Sequence, residues 1–226
     1  MLSGIFRERL WEVLPMLPMP TLETIYMVFV STFFACLMGF PLGIYLYAAS
    51  PAGLAPRPVL YNVFSRIVNL FRSFPFIILM IMLIPLTRFL IRTSIGPSAA
   101  IIPLSIAAAP FVARIVETAL SEIDLGILTA ARAMGSTNLQ IICKVLIPEA
   151  MPSLVSGLAL TMINLIGYSA MAGAIGGGGL GNLAIRYGYY RFTTDVMVAA
   201  VIVILLLVEA VQLAGTIISR SLLSKR

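Results

Sequence analysis

The stretch Val196–Ser219, "VMVAAVIVILLLVEAVQLAGTIIS", carries one charged side chain, Glu209. A helix of about 20 residues crosses the hydrocarbon core of a bilayer, and this run is long enough to do so. Four further stretches share its character: Thr24–Tyr47, Phe74–Ile91, Ser98–Val116 and Met151–Ile175. Lipid offers the backbone no hydrogen-bond partners, so such stretches must be helices; a closed barrel would show short alternating strands instead. Composition agrees, with 60% hydrophobic and 11% charged residues and a mean hydropathy of +1.05. A soluble domain carries far more charge. The expectation is an all-α, polytopic membrane protein with about five transmembrane helices and one transmembrane domain over residues 1–226.

The net charge of +6 is explained by Lys and Arg at span ends, where they face anionic lipid and set topology. Nucleic-acid binding would need a basic patch on a soluble fold, and none is visible. Cys36 and Cys143 fall in a span and in a polar loop, which implies no disulfide framework. With no histidine and no cysteine pair at ligand spacing, no metal site is expected. The leading segment "MLSGIFRERLWEVLPMLPMP" is too polar and proline-broken for a signal peptide. Trp11 with Arg7, Glu8, Arg9 and Glu12 reads as an interfacial helix.

An odd number of spans puts the termini on opposite sides. Placing Thr129–Ala150 in the cytoplasm leaves Arg57, Arg66, Arg72, Arg114, Arg132, Lys144, Arg220, Lys225 and Arg226 inside. Arg7, Arg9, Arg88, Arg92, Arg186 and Arg191 are then outside. The balance of nine against six favours an outer N-terminus and a cytoplasmic C-terminus. Pro41, Pro75, Pro85, Pro103 and Pro110 stand in apolar context. They either accommodate packing or bend helices that line a pathway. Gly39-x-x-x-Gly43 and Gly173-x-x-x-Gly177 allow close helix approach.

Catalytic chemistry is missing from the pattern. "GGGGLGN" lacks the Lys-Ser/Thr of a phosphate loop, and "GYSAM" is no nucleophile elbow. Glu209 either pairs near the cytoplasmic end or serves function inside the membrane. Asn164 and Tyr168 lie one turn apart, suited to an interhelical hydrogen bond or to lining a channel. The chain reads as a conduit without an engine.

The polar interruption at residues 121–150 is different. Ser121 with Asp124 resembles a capping box. Leu125, Leu128, Ala131 and Met134 follow at helical spacing, and Gly135 supplies a C′ glycine. Ser136 or Thr137 then caps a second helix through Asn138–Val145, which Pro148 ends. The expected product is two short helices with a thin tip, suited to enter a groove on another protein.

That segment resembles the EAA signature of ABC-importer permease subunits: Glu-Ala-Ala, three residues, Gly, nine residues, Ile-x-Leu-Pro. Ala130-Ala131, Gly135 and Pro148 occupy the matching positions. Val145 and Ile147 stand at the Ile and Leu positions, and Thr129 replaces the glutamate. "NLFRSFPFIIL", "AAAPFVARIVETAL", "KVLIPEAMPSLV" and "GYSAMAGAIGGGGLGNLAIRYGYY" extend the likeness to methionine-uptake permeases over about residues 20–220. The resemblance implies a type I ABC importer permease fold in a bacterial inner membrane. It implies a homodimer, two cytoplasmic ABC ATPases that bind ATP and Mg, and an extracytoplasmic methionine-binding protein or lipoprotein. No cofactor is implied for this chain itself.

The family's coupling role carries over to Thr129, Ala130, Ala131, Arg132, Met134, Gly135, Ser136 and Pro148. Its gating region carries over to Tyr168, Ser169 and Met171, with Asn164 one turn earlier. "GGGGLGN" and "YGYYR" read as an outer loop with aromatic anchors that touches the binding protein. Nothing in the spans spells methionine. A permease for another small amino acid or organic solute, an ion-coupled carrier built on Glu209, and a scaffold subunit stand as alternatives.

Overall fold

The computed structural model describes residues 13–224. The expected interfacial helix around Trp11 lies outside the described residues, as do Lys225 and Arg226. Every regular element among the described residues is helical. A 3-10 turn, Leu14–Met16, leads into α1, Pro18–Ala49. Helix α2 is Pro58–Ser73, α3 is Phe76–Met82, α4 is Ile84–Ile91 and α5 is Pro97–Ser121. Helix α6, Leu125–Ala133, precedes α7, Asn138–Ile141. A π-helical turn, Ile142–Leu146, joins α7 to α8, Ile147–Ala174. Helix α9, Gly179–Leu183, continues into a second π turn, Ala184–Tyr189, and α10 is Thr194–Leu223.

Among the described residues, four segments are long and apolar enough to cross a membrane: Leu14–Ala49, Pro97–Ser121, Asn138–Tyr189 and Thr194–Leu223. A fifth arises only if α2 and α3 count as one broken span. The expected span Phe74–Ile91 is therefore not one helix. Pro75 is extended, with ψ 125°, and separates α2 from α3. Pro85 has no N–H to continue the ladder, and the helix is interrupted at Leu83 ahead of it. Several hydroxyls inside the spans satisfy themselves locally. Thr21, Thr24 and Thr32 donate to the carbonyls of Leu17, Pro20 and Val28, four residues back, so these hydroxyls need no partner from the lipid.

The chain divides into two compact units, each assembled from three sequence segments. The first gathers the described residues up to Phe34, Phe74–Ala107 and Met162–Val211. Its core includes Val13, Leu183, Val196 and Ala200, with Met16, Leu17 and Tyr187 packed against them. The Gly179 N–H donates to Glu23 Oε2 at 2.7 Å and the Leu180 N–H to Thr24 Oγ1 at 2.9 Å. These acceptors cap α9, so the glycine-rich run is loop only through Gly178; the expected outer loop is helical from Gly179 to Tyr189. At its end and just past it, Tyr189, Tyr190 and Phe192 are exposed.

The second unit gathers Ala35–Ser73, Ala108–Thr161 and the residues from Gln212 onward. Leu46, Val68 and Ala113 form its buried cluster, with Leu42, Tyr61 and Phe64 around them. Close packing matters more here than in water, because lipid is as apolar as leucine and contact replaces the hydrophobic drive. The expected Gly39-x-x-x-Gly43 contact is present. A Cβ on Gly39 would lie 2.5 Å from the Ala109 carbonyl oxygen, and one on Gly43 would lie 2.5 Å from that of Ala113.

Candidate functional site

Helix α6 starts with Asp124 as N-cap, its Oδ1 accepting from the Gly126 N–H at 2.6 Å. The expected capping box of Ser121 with Asp124 does not form. Ser121 is the last residue of α5, and its hydroxyl donates to the Glu117 carbonyl at 2.7 Å. A carbonyl one turn back in its own helix is nearer than any amide of the next.

The apolar spacing of α6 also divides. Leu128 and Ala131 are buried, whereas Leu125 and Met134 are 66% and 79% exposed. The helix is held through its middle and presents both ends. Thr129, Ala130 and Arg132 share the exposed side, and Thr129 Oγ1 donates to the Leu125 carbonyl within the same helix.

The turn closes as a Schellman motif. The Ser136 N–H reaches the Ala131 carbonyl at 3.2 Å, and the Gly135 N–H reaches Arg132 at 2.9 Å. Gly135 sits at φ +77°, and a Cβ added there would meet nothing within 4 Å. Conformation, not space, demands glycine there. Thr137 and Gln140 then form a reciprocal capping box at the start of α7.

Pro148 does not end the second helix, as expected, but lies near the start of α8 in a continuous helical path. Within α geometry its ring would clash with the carbonyl four residues back, and its missing N–H would leave that carbonyl orphaned. The π turn Ile142–Leu146 absorbs the conflict: the Ile147 N–H bonds to the Ile142 carbonyl, five residues back. Cys36 and Cys143 are free thiols.

Of the gating candidates, Asn164, Tyr168 and Met171 recur at i, i+4 and i+7 and share one face of α8. Met171 is 45% exposed. The Tyr168 ring stacks on Phe76 with centroids 4.7 Å apart and planes 4° from parallel, so its aromatic face is spent on packing. Ser169 falls on another face, 2% exposed, and donates to the Ile166 carbonyl at 2.7 Å. The structure thus groups three of these residues and separates the fourth. Glu209 stands exposed on α10 among the exposed Leu205, Leu206 and Leu213.

Sequence reading missed a buried polar network. Arg114 of α5 donates to Glu117 Oε2, and to the Ser65 hydroxyl and carbonyl and the Asn69 side-chain oxygen of α2. Glu117 is 7% exposed. The one available signal was the i, i+3 spacing of Arg114 and Glu117 in an apolar helix.

Residues 39–224 match the family model described as binding-protein-dependent transport system inner membrane component. The "Probable D-methionine transport system permease protein MetI" of Pasteurella multocida (strain Pm70) is 46% identical, over 92% of this chain and 94% of that protein. The "D-methionine transport system permease protein MetI" of Escherichia coli (strain K12) is 53% identical, over 67% of this chain and 70% of that one. Among solved structures, a native crystal form in "Inward facing conformations of the MetNI methionine ABC transporter" superposes with a TM-score of 0.89. It is 46% identical and covers 95% of this chain and 98% of its own. A chain from the "Crystal structure of an amino acid ABC transporter with histidines" is 19% identical with a TM-score of 0.77 over 94% of this chain and 97% of its own. At that identity it speaks for the fold alone.

Proposed function

The chain belongs to the binding-protein-dependent transport system inner membrane component family, and on that premise we propose that it is the permease subunit of an ATP-driven methionine importer. Its fold is that of the type I ABC importer permeases, and it is a multi-pass inner-membrane protein. It is not an enzyme: in an ABC importer of this family, ATP hydrolysis belongs to a separate subunit. The relatives named for D-methionine transport supply the substrate.

In this reading two copies of the chain form the pathway and open it to either side in turn. Two cytoplasmic ATPases hold ATP and Mg, and an extracytoplasmic binding protein delivers methionine. The N-terminus lies outside and the C-terminus in the cytoplasm. The observation that carries the mechanical part is the tip of α6. Thr129, Ala130, Arg132, Met134 and Gly135 are exposed on a short helix and the turn that closes it, and the helix's other side is buried at Leu128 and Ala131. A tip anchored on one side and bare on the other can receive a push and pass it on as rigid-body motion. Ser136 and Pro148 support it, one by closing the turn and one by starting the long helix behind it.

The test is uptake into proteoliposomes that hold the permease with its ATPase and binding protein. Labelled methionine should enter only with ATP, and unlabelled D- and L-methionine should compete where other amino acids do not. Uptake that followed a proton or sodium gradient and ignored ATP would instead make the chain a secondary carrier.

A further inference from the structure

Two segments long and apolar enough to cross the membrane, Asn138–Tyr189 and Thr194–Leu223, are joined by residues 190–193 alone. So short a connection lies at the edge of the bilayer, where the chain leaves hydrocarbon for headgroups. Its shape is fixed. The Tyr187 carbonyl accepts from the Thr193 N–H at 3.1 Å and from the Thr193 hydroxyl at 2.7 Å. The Tyr190 N–H donates to the Ile185 carbonyl at 3.0 Å. The π turn before the loop packs so close to α10 that a Cβ on Gly188 would stand 2.5 Å from the Met197 Cβ.

Within this frame Phe192 is held at φ +55°, a region that bulky side chains avoid, and it is 87% exposed. Tyr189 and Tyr190 beside it are 63% and 68% exposed. A strained backbone that displays bare rings gains nothing from the chain's own packing, and it points to something outside the chain that covers them.

The charges at this edge say what covers them. The Arg191 guanidinium lies 4.8 Å from the Tyr187 ring centroid, and that of Arg186 lies 6.0 Å from the same centroid. Two cations are thus gathered on one ring. The same stretch holds one carboxylate, Asp195, in the first turn of α10. Arg186 and Tyr190 also line a cavity of about 420 Å³, together with Ile95, Asn182, Gly176 and Gly178. Exposed rings beside guanidiniums at a bilayer edge have one natural complement, a phospholipid: its glycerol and upper acyl region suits the rings, and its phosphate suits the guanidiniums.

We propose that residues 186–192 form a binding site for an anionic phospholipid. The phosphate sits on the Arg186 guanidinium at the cavity, and Arg191 adds to the attraction. Tyr189, Tyr190 and Phe192 lie in the glycerol and upper acyl layer. The inference needs the chain to span a membrane and does not depend on which solute it carries.

The experiment uses the permease–ATPase complex purified in detergent. The complex is incubated with equal amounts of phosphatidylglycerol and phosphatidylcholine of the same acyl chains. Native mass spectrometry then counts the lipids retained. Both lipids carry a phosphate and the same tails, so the preference reads net headgroup charge, and the difference between variant and wild type reads this site.

The wild type should retain phosphatidylglycerol over phosphatidylcholine. R186Q with R191Q should cut that preference about tenfold, as expected for removing two arginines from an anionic surface. R186K with R191K should keep most of it, because charge is what the site supplies. Y189S with F192S should weaken retention of both lipids alike. If the glutamine pair keeps the wild-type preference, or the lysine pair loses it as fully as the glutamine pair, the proposal is overturned. It is also overturned if the glutamine pair leaves lipid retention unchanged but abolishes stimulation of the ATPase by the binding protein, which gives the surface to that protein. None of these outcomes bears on the importer reading, which stands or falls on ATP-dependent uptake.

Discussion

Gly135 shows how much one residue can decide. Its φ of +77° is the left-handed region, where a β-branched side chain costs about 1–3 kcal/mol. Asparagine tolerates that region better. G135V should therefore lower ATP-dependent uptake about tenfold or more while the permease still purifies as an oligomer, with G135N between it and the wild type. Gly43 poses the opposite problem. Space, not conformation, excludes a side chain there, because a Cβ would stand 2.5 Å from a backbone oxygen that cannot yield. G43V should lose folded protein in a detergent thermal-stability assay, whereas G167A, with nothing within 4 Å, should be tolerated. Both glycines were legible in the sequence, Gly135 from its place after a helical repeat and Gly43 from its partner four residues before. Glu23 was not, because the amide it caps lies 156 positions away and no local pattern links them.

At the scale of elements, the Arg114 network ties α5 to α2. Removing one member of a buried ion pair strands the other, at about 3–5 kcal/mol. R114Q should lower the melting temperature of the purified complex markedly. R114M with E117M should recover much of the loss, since two apolar residues strand no charge. If the double variant is no more stable than R114Q, the charge pair is not what makes the link. The helices themselves were mostly readable from apolar runs: α1, α5, α8 and α10 fall close to the expected spans. Two prolines break the local rules. Pro148 is a stop only where the path is purely α-helical, and a π turn supplies another geometry. The Phe74–Ile91 run has the hydropathy of one span, but hydropathy does not register the interruption ahead of Pro85.

For the whole molecule, the decisive expectation is dependence on partners. The purified permease should hydrolyse no ATP, yet should retain an ATPase when isolated gently from cells that make both. Permease-independent uptake in vesicles with the other components would refute its role as the conduit. The importer function was legible because the coupling signature is contiguous, from Thr129 to Pro148. The Arg114 network was not, because Ser65 and Asn69 stand 49 and 45 positions from Arg114 and mean nothing to it until folding brings them together.

The tip of α6 has one more consequence. Leu125 and Met134 are 66% and 79% exposed between two of the spans, and Leu139, 74% exposed, stands at the start of the next. Such a surface is quiet only when another protein covers it. A subunit made without its ATPase thus displays a greasy flag to the chaperones and membrane proteases that clear orphans. On the coupling role proposed for it, the same tip would also report whether assembly is complete. Pulse-chase should accordingly find the permease shorter-lived in cells lacking the ATPase, and M134S with L139S should restore its lifetime there.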